Sequence, residues 1–199
     1  IGAMITAYPP KGKTYDVPRY DRLWATAQDL DIPLSLHAET QRFGAGMFDG
    51  SDPYPRGIMT LTNMDFIVRS TLTDIILSGL FERYPKLQIG SVEYEVAWAA
   101  HFIDRLDYNY MQRTTRHSWH RFSNDALPSD FFHSNVFIGF QEDHLGIRLR
   151  DVIGVDNLQW GSDYPHPDGT FPHTQEVLDR LFKDVPEDEK AKIMGGNAA

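Results

Sequence analysis

Ionisable side chains follow several apolar runs of this chain at the point where each run ends. His37 ends the run PLSLH, Glu93 ends LQIGSVE, and Asp163 comes just after LQW. His166 follows three residues later, between two prolines, and proline cannot continue a strand or a helix. Imidazole and carboxylate groups bind divalent ions such as Zn²⁺ and also act as general acids and bases. The spacing therefore predicts a metal or acid–base site at the ends of several strands.

His37 and Asp163 are the residues that best fit a metal site. A neutral imidazole and a carboxylate at strand ends suit Zn²⁺ or a similar divalent ion, which would activate a water molecule. We predict that both are metal ligands, that Asp163 also acts as a general base, and that Glu93 and His166 take part in catalysis. A catalytic zinc site usually has about three protein ligands, so we expect further ligands before Ile1.

Each of these residues also has a purely structural interpretation. His37 could be a hydrogen-bonded core histidine, and Asp163 could cap the turn that follows its strand. Glu93 could form an ion pair with an arginine, and His166 could hydrogen-bond within its own loop. Asp143, which follows another strand, fits the N-cap of the next helix better than a catalytic role. These alternatives remain open at the level of the sequence.

Two further loops carry residues that could face a substrate. The first is rich in aromatic side chains and suits a hydrophobic pocket or a dimer contact, and the second suits a solvated loop or a lid. Their residues are Phe43, Met47, Phe48 and Tyr54 in the first loop and His117 and His120 in the second.

Composition limits the classes of protein that this chain can represent. Its 199 residues are 41% hydrophobic, so the chain can bury a sizeable core, and we treat residues 1–199 as a single domain. The net charge of −9 argues against nucleic acid and anionic membranes as partners and favours a small-molecule substrate. The absence of cysteine excludes disulfides, thiolate ligands and a cysteine nucleophile. No stretch has the pattern of a membrane span or a signal peptide, so we expect a cytoplasmic protein.

Apolar runs of strand length alternate with helical patterns along the chain. We predict strands at residues 3–6, 33–39, 87–93, 135–143 and 158–164. We predict helices at residues 18–30, 63–84, 96–110, 145–153, 176–182 and 187–194. This alternation implies parallel strands, whose C-terminal ends meet at one edge. No glycine-rich nucleotide-binding turn follows the first strand, which favours a (β/α)₈ barrel over an open doubly wound sheet.

A resemblance to a known family runs over essentially the whole chain. The chain resembles the C-terminal part of the amidohydrolase-2 family, in the branch related to aminocarboxymuconate-semialdehyde decarboxylase. The resemblance lies in the segments PLSLHAE, LFERYPKLQIGSVEYEVAWAAHFIDRLD, WGSDYPHPDGTFP and KIMGGNAA. It implies a (β/α)₈ TIM barrel of the metal-dependent hydrolase type, with Zn²⁺ or a similar divalent metal. It also implies hydrolysis or non-oxidative decarboxylation of a small carboxylate-bearing molecule, with His37 and Asp163 as metal ligands.

The chain departs from the family pattern at two places. Its five predicted strands correspond to barrel strands four to eight, so the strand that carries the family's first pair of metal ligands is not among them. Many members carry a histidine-glycine pair after strand six, where this chain reads Val92-Glu93-Tyr94-Glu95. Glu93 is therefore a candidate to replace that histidine.

The sequence thus predicts a metal-dependent hydrolase or decarboxylase, represented by about five βα units of an incomplete barrel. The alternative is a catalytically inactive binding or assembly module that retains the barrel fold. The chain starts within a strand at Ile1, so we expect that an N-terminal piece was removed and that the fragment alone is inactive. A sheet of five strands leaves two open edges. We expect that piece or a second copy of the chain, as in a homo-oligomer, to cover them.

Overall fold

The computed structural model describes residues 2–10, 12–38, 40, 62–112 and 121–199. Five strands form one sheet, and every neighbouring pair is parallel. The strands are β1 (Ala3–Thr6), β2 (Leu34–His37), β3 (Ile89–Val92), β4 (Val136–Phe140) and β5 (Leu158–Trp160). Their order in the sheet is their order in the sequence. Each connection therefore leads to the adjacent strand in the same direction, as in a (β/α)₈ barrel, whereas a doubly wound sheet reverses direction at a switch point.

At least one helix lies between each two consecutive strands. The helices are α1 (Asp21–Asp29), α2 (Asp65–Leu77), α3 (Leu80–Arg83), α4 (Ala97–Gln112), α5 (Pro128–Asn135), α6 (His144–Arg148), α7 (Arg150–Ile153), α8 (Thr174–Leu181) and α9 (Glu187–Met194). Strand β1, at residues 3–6, and helix α9, at residues 187–194, have the predicted bounds. The predicted α/β fold with about five βα units is confirmed.

The outer face of the sheet carries the core. Side chains alternate between the two faces of a strand, and on this face Leu36, Ile89, Ile138 and Leu158 are all 0% exposed. They belong to one cluster with buried side chains of the helices, including Leu72 of α2. Burial of each such aliphatic side chain contributes about 1.5–3 kcal/mol relative to its exposure. The helices are thereby held against the strands whose ends they connect.

The inner face carries small, polar or half-buried residues. One row on this face crosses all five strands, because the parallel register pairs neighbouring residues in the order Thr6, His37, Val92, Gly139 and Gln159. This row lies toward the C-terminal ends of the strands. The register therefore places the imidazole of His37 at the edge where the strands lead into their loops.

A second row on the inner face lies closer to the N-terminal ends of the strands. It pairs Ser35 with Gly90 and Gly90 with Phe137. The ring of Phe137 lies across Gly90, where a Cβ atom would come within 2.0 Å of the ring. Only glycine leaves room for this ring, which fills the interior in the way that large side chains fill barrel cores.

The prediction of one continuous helix at residues 63–84 is wrong. The chain forms α2 and α3 instead, with a break at Gly79. Gly79 has a φ of 70°, a left-handed conformation that ends helices and that glycine adopts without steric cost. The helical pattern of apolar residues continues through the break and hides it.

Larger differences from the prediction occur in three other parts of the chain. The structure adds α5, divides the helix predicted at residues 145–153 into α6 and α7, and ends β5 at Trp160 rather than at residue 164. The early end of β5 has a local cause, because Asp163 has a φ of 55° and a left-handed residue cannot extend a strand. Asp163 consequently lies on a loop and not on the strand itself.

Some predictions concern residues beyond the described ranges. Phe43, Met47, Phe48, Tyr54, His117 and His120 all lie outside the described residues. Among the described residues, every helix is too short or too polar to cross a membrane.

Candidate active site

The four residues predicted for catalysis and metal binding line one cavity. This cavity has a volume of about 550 Å³ and contains His37, Glu93, Asp163 and His166 in its wall. It lies at the C-terminal edge of the parallel strands, where barrel enzymes build their active sites from strand ends and the loops that follow. The sheet thus brings together side chains that are far apart in the sequence.

Asp163 lies in the cavity wall, on the loop that follows β5. Its Oδ2 atom is buried and lies 3.1 Å from Nδ1 of His166, yet the described residues donate no well-directed hydrogen bond to it. The backbone N–H of His166 donates to the carbonyl of Asp163 at 2.8 Å, which turns the chain so that the two side chains meet. A buried carboxylate oxygen without a hydrogen bond is costly in a folded protein, and a cation would offset that cost.

Glu93 lies between the two imidazoles. Its Oε2 atom is 3.4 Å from Nδ1 of His37, and its Oε1 atom is 3.8 Å from Nδ1 of His166. Its φ of 67° puts the backbone in the left-handed region, which is uncommon for a residue with a side chain. Such conformations persist where the surrounding structure enforces them, and they cluster at functional sites.

The environment of His37 favours one tautomer. Its Nδ1 atom lies 2.9 Å from the carbonyl oxygen of Ala38, so a proton on Nδ1 would be donated to that carbonyl. Thr40 and Tyr94 both donate their hydroxyl groups to the carbonyl of His37, at 2.6 and 3.4 Å. With the proton on Nδ1, Nε2 keeps its lone pair, and this is the arrangement that metal-binding histidines adopt.

Three of the predicted residues come close enough to share an ion. One ligand atom from each of Glu93, Asp163 and His166 lies within 4.8 Å of the other two. Two ligands bound at about 2.1 Å to one ion are at most about 4.2 Å apart, so modest side-chain movements would complete this geometry. His37 is adjacent through its contact with Glu93 but is not one of the three. The roles of all four residues stay predictions.

Comparison with known proteins identifies the family. A family model described as Amidohydrolase matches residues 5–199. The chain belongs to the amidohydrolase family. This confirms the resemblance that the sequence shows.

Named relatives of this amidohydrolase are decarboxylases. Gamma-resorcylate decarboxylase of Polaromonas sp. (strain JS666) is 23% identical over 212 residues, which cover 100% of this chain and 60% of that protein. The solved structure of a 5-carboxyvanillate decarboxylase from Sphingomonas paucimobilis is 26% identical with a TM-score of 0.73, and the match covers 100% of this chain and 57% of that one. The chain therefore spans about 60% of the length of the curated relatives that it matches.

A third structure carries a metal. A dihydroxybenzoic acid decarboxylase from Polaromonas sp. JS666, solved with bound manganese and the inhibitor 2-nitroresorcinol, is 20% identical to this amidohydrolase. Its TM-score is 0.63, and the match covers 93% of this chain and 54% of that one. At this identity the likeness shows the fold, and it confirms the partial barrel.

The sequence did not single out several residues that also line the cavity of this amidohydrolase. Glu95 is the most informative of them, because it lies only two residues after Glu93 and has a φ of 53°. In a strand, two residues at this spacing would share a face. Glu93 and Glu95, however, follow the end of β3 at Val92, where the chain turns. Burial raises the pKa of the Glu95 carboxyl, and the charges of Asp143 and Glu142 raise it further, against two backbone hydrogen bonds that lower it. A second glutamate so close to a predicted site residue is the signal that could have identified it.

Tyr94 and Trp98 form another part of the wall that the sequence did not single out. Trp98 donates its indole N–H to the carbonyl of Glu95 at 2.9 Å. Burial raises the pKa of the Tyr94 hydroxyl, and the charge of Glu93 adds to this, so the hydroxyl stays protonated. These two aromatic side chains give the cavity an apolar surface beside its carboxylates.

The predicted N-cap role of Asp143 is confirmed. Its Oδ1 atom accepts a hydrogen bond from the backbone N–H of Gly146 at 2.7 Å, in the first turn of α6. The neighbouring Glu142 forms an ion pair with Arg180, at the rim of the sheet.

Proposed function

We propose that this protein is a divalent-metal-dependent, non-oxidative decarboxylase of a small aromatic carboxylic acid. One observation carries the proposal: Glu93, Asp163 and His166 converge within 4.8 Å at the C-terminal edge of the barrel strands. The names of the relatives support decarboxylation over hydrolysis, since gamma-resorcylate and 5-carboxyvanillate are the acids that those names contain. The same names favour an enzyme over an inactive binding or assembly module.

The donor set of the cavity fits a divalent ion. The buried Oδ2 atom of Asp163 accepts no well-directed hydrogen bond from the described residues and is a ready ligand, and Nε2 of His37 has its lone pair available. Glu93 or His166 would supply a third donor. Mixed imidazole and carboxylate ligands suit Zn²⁺ and Mn²⁺ alike. A bound ion would act as a Lewis acid and would orient the substrate through its oxygen atoms.

The charge of the cavity supports this dependence on a metal. Among the described residues, six carboxylic acids and two histidines line the cavity, and no lysine or arginine does. The acids are Asp65, Glu93, Glu95, Asp143, Asp163 and Asp168. A carboxylate substrate would be repelled by this surface, so a cation has to balance the charge before such a substrate binds.

His166 is the group best suited to handle a proton. In decarboxylation the bond between the ring carbon and the carboxyl carbon breaks, carbon dioxide leaves, and the ring carbon gains a proton. The His166 ring is half exposed, with Nδ1 3.1 Å from Asp163 and 3.8 Å from Glu93. These short distances place His166 where it could donate a proton to the ring carbon.

The replacement Asp163→Asn tests the proposal. We expect the purified intact protein to lose its bound metal and to lose decarboxylation of dihydroxybenzoic acids by more than about 100-fold, because one ligand and its charge are removed. The matched control is Asp156→Asn, near the opposite end of β5, where the carboxylate contacts Lys192 at 2.7 Å. The control should keep metal and activity. An Asp163→Asn protein that is as active as the unmutated one contradicts the proposal.

We also propose that another polypeptide segment covers β1, either from a second copy of the chain or from a segment that precedes residue 1. Among the described residues β1 has one strand neighbour, and its Met4 side chain is 62% exposed. Open strand edges and exposed apolar side chains favour association. The cytoplasmic location stays a prediction.

A further inference from the structure

Asp143 does more than cap its own helix. Its Oδ2 atom accepts hydrogen bonds from the backbone N–H groups of Val96 at 3.0 Å and Ala97 at 2.7 Å, at the start of α4. Its Oδ1 atom meanwhile accepts from Gly146 at the start of α6. One carboxylate thus serves the N-terminal ends of two helices, where unpaired N–H groups and the helix dipole both favour a negative charge. The two helices follow different strands, β3 and β4.

We propose that Asp143 is a positioning residue of the active site: it holds the turn at residues 93–97 so that Glu93 stays beside Asp163 and His166. This inference rests on the proposed function, because it concerns the same site. Asp143 acts through Glu93, since both of its oxygen atoms are occupied by backbone N–H groups.

The turn at residues 93–97 needs such support. Glu93 and Glu95 both have positive φ angles, of 67° and 53°. Left-handed backbone at two residues with side chains is strained and persists only where the surroundings enforce it. The charge-assisted bonds from Asp143 reach the chain immediately after this strained stretch.

A reciprocal bond joins the same two segments. The backbone N–H of Glu142 donates to Oε1 of Glu95 at 3.4 Å, while the carboxylate of Asp143 accepts from Val96 and Ala97. Each segment therefore supplies a carboxylate to the backbone of the other. The loops after β3 and β4 are fixed to each other directly and not only through the sheet.

Close packing reinforces this connection. A Cβ atom at Gly146 would come within 2.0 Å of a methyl group of Val96 and 2.9 Å of the Asp143 carboxyl carbon. Val96 is itself 0% exposed. The start of α6 therefore lies directly against the turn, at a distance that only glycine permits.

The position of Glu93 matters because it bridges the predicted site. Its two oxygen atoms approach His37 and His166, from β2 and from the loop after β5. A rotation of the turn would move Glu93 away from both. Asp143 is thus placed to control the position of Glu93 through the backbone, because both of its oxygen atoms already accept backbone hydrogen bonds.

The variant Asp143→Asn tests this role in the intact protein. Asparagine is as good an N-cap as aspartate, so its oxygen can still accept from Gly146. Its amide group then faces the N–H groups of Val96 and Ala97 and cannot accept from them. The matched control is Asp107→Asn. Asp107 accepts a hydrogen bond of 2.9 Å from the backbone N–H of Ser129, at the start of α5 and away from the cavity. Asp143→Ala removes both sets of bonds and serves as a second variant.

Two measurements are made at a temperature at which all variants are folded. The first is Mn²⁺ binding by calorimetric titration, and the second is the ¹³Cα chemical shifts of Glu93 and Glu95, which report their backbone conformation. We expect Asp143→Asn to lower the melting temperature more than Asp107→Asn, because an asparagine oxygen at position 107 can still accept from Ser129. Only Asp143→Asn and Asp143→Ala should weaken Mn²⁺ binding, by about tenfold or more, and shift the two Cα resonances.

The possible failures are distinguishable. If Asp143→Asn binds Mn²⁺ as tightly as Asp107→Asn does, or leaves the two Cα shifts unchanged, the positioning role is wrong. If the unmutated protein binds neither Mn²⁺ nor Zn²⁺, the proposed function is wrong. The ¹³Cα shifts of Glu93 and Glu95 then still decide whether Asp143 holds the turn.

Discussion

The two edges of the same parallel sheet are built from different chemistry. At the N-terminal edge, the side-chain amides of Asn135, Asn157 and Asn197 donate to backbone carbonyls around the strand starts. At the C-terminal edge, carboxylates gather on left-handed backbone, and a buried oxygen of Asp163 accepts no well-directed hydrogen bond within the described part of the chain. The first edge satisfies its polar groups, and the second leaves some available for a ligand. This is the division between stability and function that barrel enzymes show.

The largest expected effect on stability belongs to the N-terminal edge. Asn157 donates through Nδ2 to the carbonyls of Phe132, His133 and Val136, at 3.3, 3.0 and 2.7 Å. Asn157→Ala should lower the free energy of unfolding by about 2–4 kcal/mol, because buried carbonyls lose their donor. Urea denaturation measures this, with the exposed Asn109 of α4 replaced by alanine as the control. Equal stability of the two variants would contradict the contrast between the edges.

The corresponding variant at the C-terminal edge should behave in the opposite way. Asp163→Asn should change the free energy of unfolding by less than about 1 kcal/mol, since asparagine tolerates left-handed backbone and no well-directed hydrogen bond from the described residues is lost. The same variant should lose metal. A loss of stability as large as that of Asn157→Ala would mean that Asp163 has a structural role instead.

An effect smaller than that of Asn157→Ala depends on pH and concerns Asp74, on α2. Burial raises the pKa of its carboxyl from 3.8 to about 6, and the charge of Asp16 adds to the shift. The folded state therefore favours the protonated acid, so the contribution to stability is complete below pH 3.8 and is lost as the pH rises through about 6. At pH 8, Asp74→Asn should be more stable than the unmutated protein by about 1 kcal/mol, after allowance for solvent screening of a partly exposed group.

Thermal unfolding at pH 4 and pH 8 checks the prediction for Asp74. The advantage of Asp74→Asn should shrink toward pH 4, and the exposed Asp104 of α4, replaced by asparagine, should show no such trend. An advantage that is the same at both pH values would refute the assignment.

The smallest effect is expected for Glu95, at the C-terminal edge. Burial raises the pKa of its carboxyl, so ionisation of this group weakens the folded state as the pH rises. Glu95→Gln keeps the oxygen that accepts from Glu142 and removes the charge. The variant should gain stability relative to the unmutated protein as the pH rises, when both are measured without metal. A relative loss at high pH would contradict this.

Much of the fold and part of the site were predictable from the sequence. The strand ends at His37 and Glu93 follow from short apolar runs, and parallel strands bring such ends to one edge. The break at Gly79 was not predictable, because the apolar helical pattern continues through it. The helix α5 was missed because its sequence, PSDFFHSN, has few strong helix formers; Pro128 at its start and the buried Phe132 stabilise it in place.

The details of the site depend on backbone conformations that sequence patterns do not reveal. The left-handed turns at Glu93, Glu95 and Asp163 decide which side chains face the cavity. Contacts between segments far apart in the sequence accompany the turn at Glu93 and Glu95, such as the hydrogen bonds that Asp143 accepts from Val96 and Ala97, and a local pattern does not reveal them. Strand-end positions therefore pointed to Glu93 and Asp163, whose roles stay predictions, but no pattern singled out Glu95, which also lines the cavity.

The most direct test of the account is to locate a bound ion. Crystals of the intact protein grown with Mn²⁺ would be measured near the manganese absorption edge, and an anomalous difference map would show the ion. We predict a peak within about 2.3 Å of the Asp163 carboxylate, with Nε2 of His37 as a second ligand. A peak at any other place, or none in this cavity, would contradict the claim that the C-terminal edge of this sheet is a metal site.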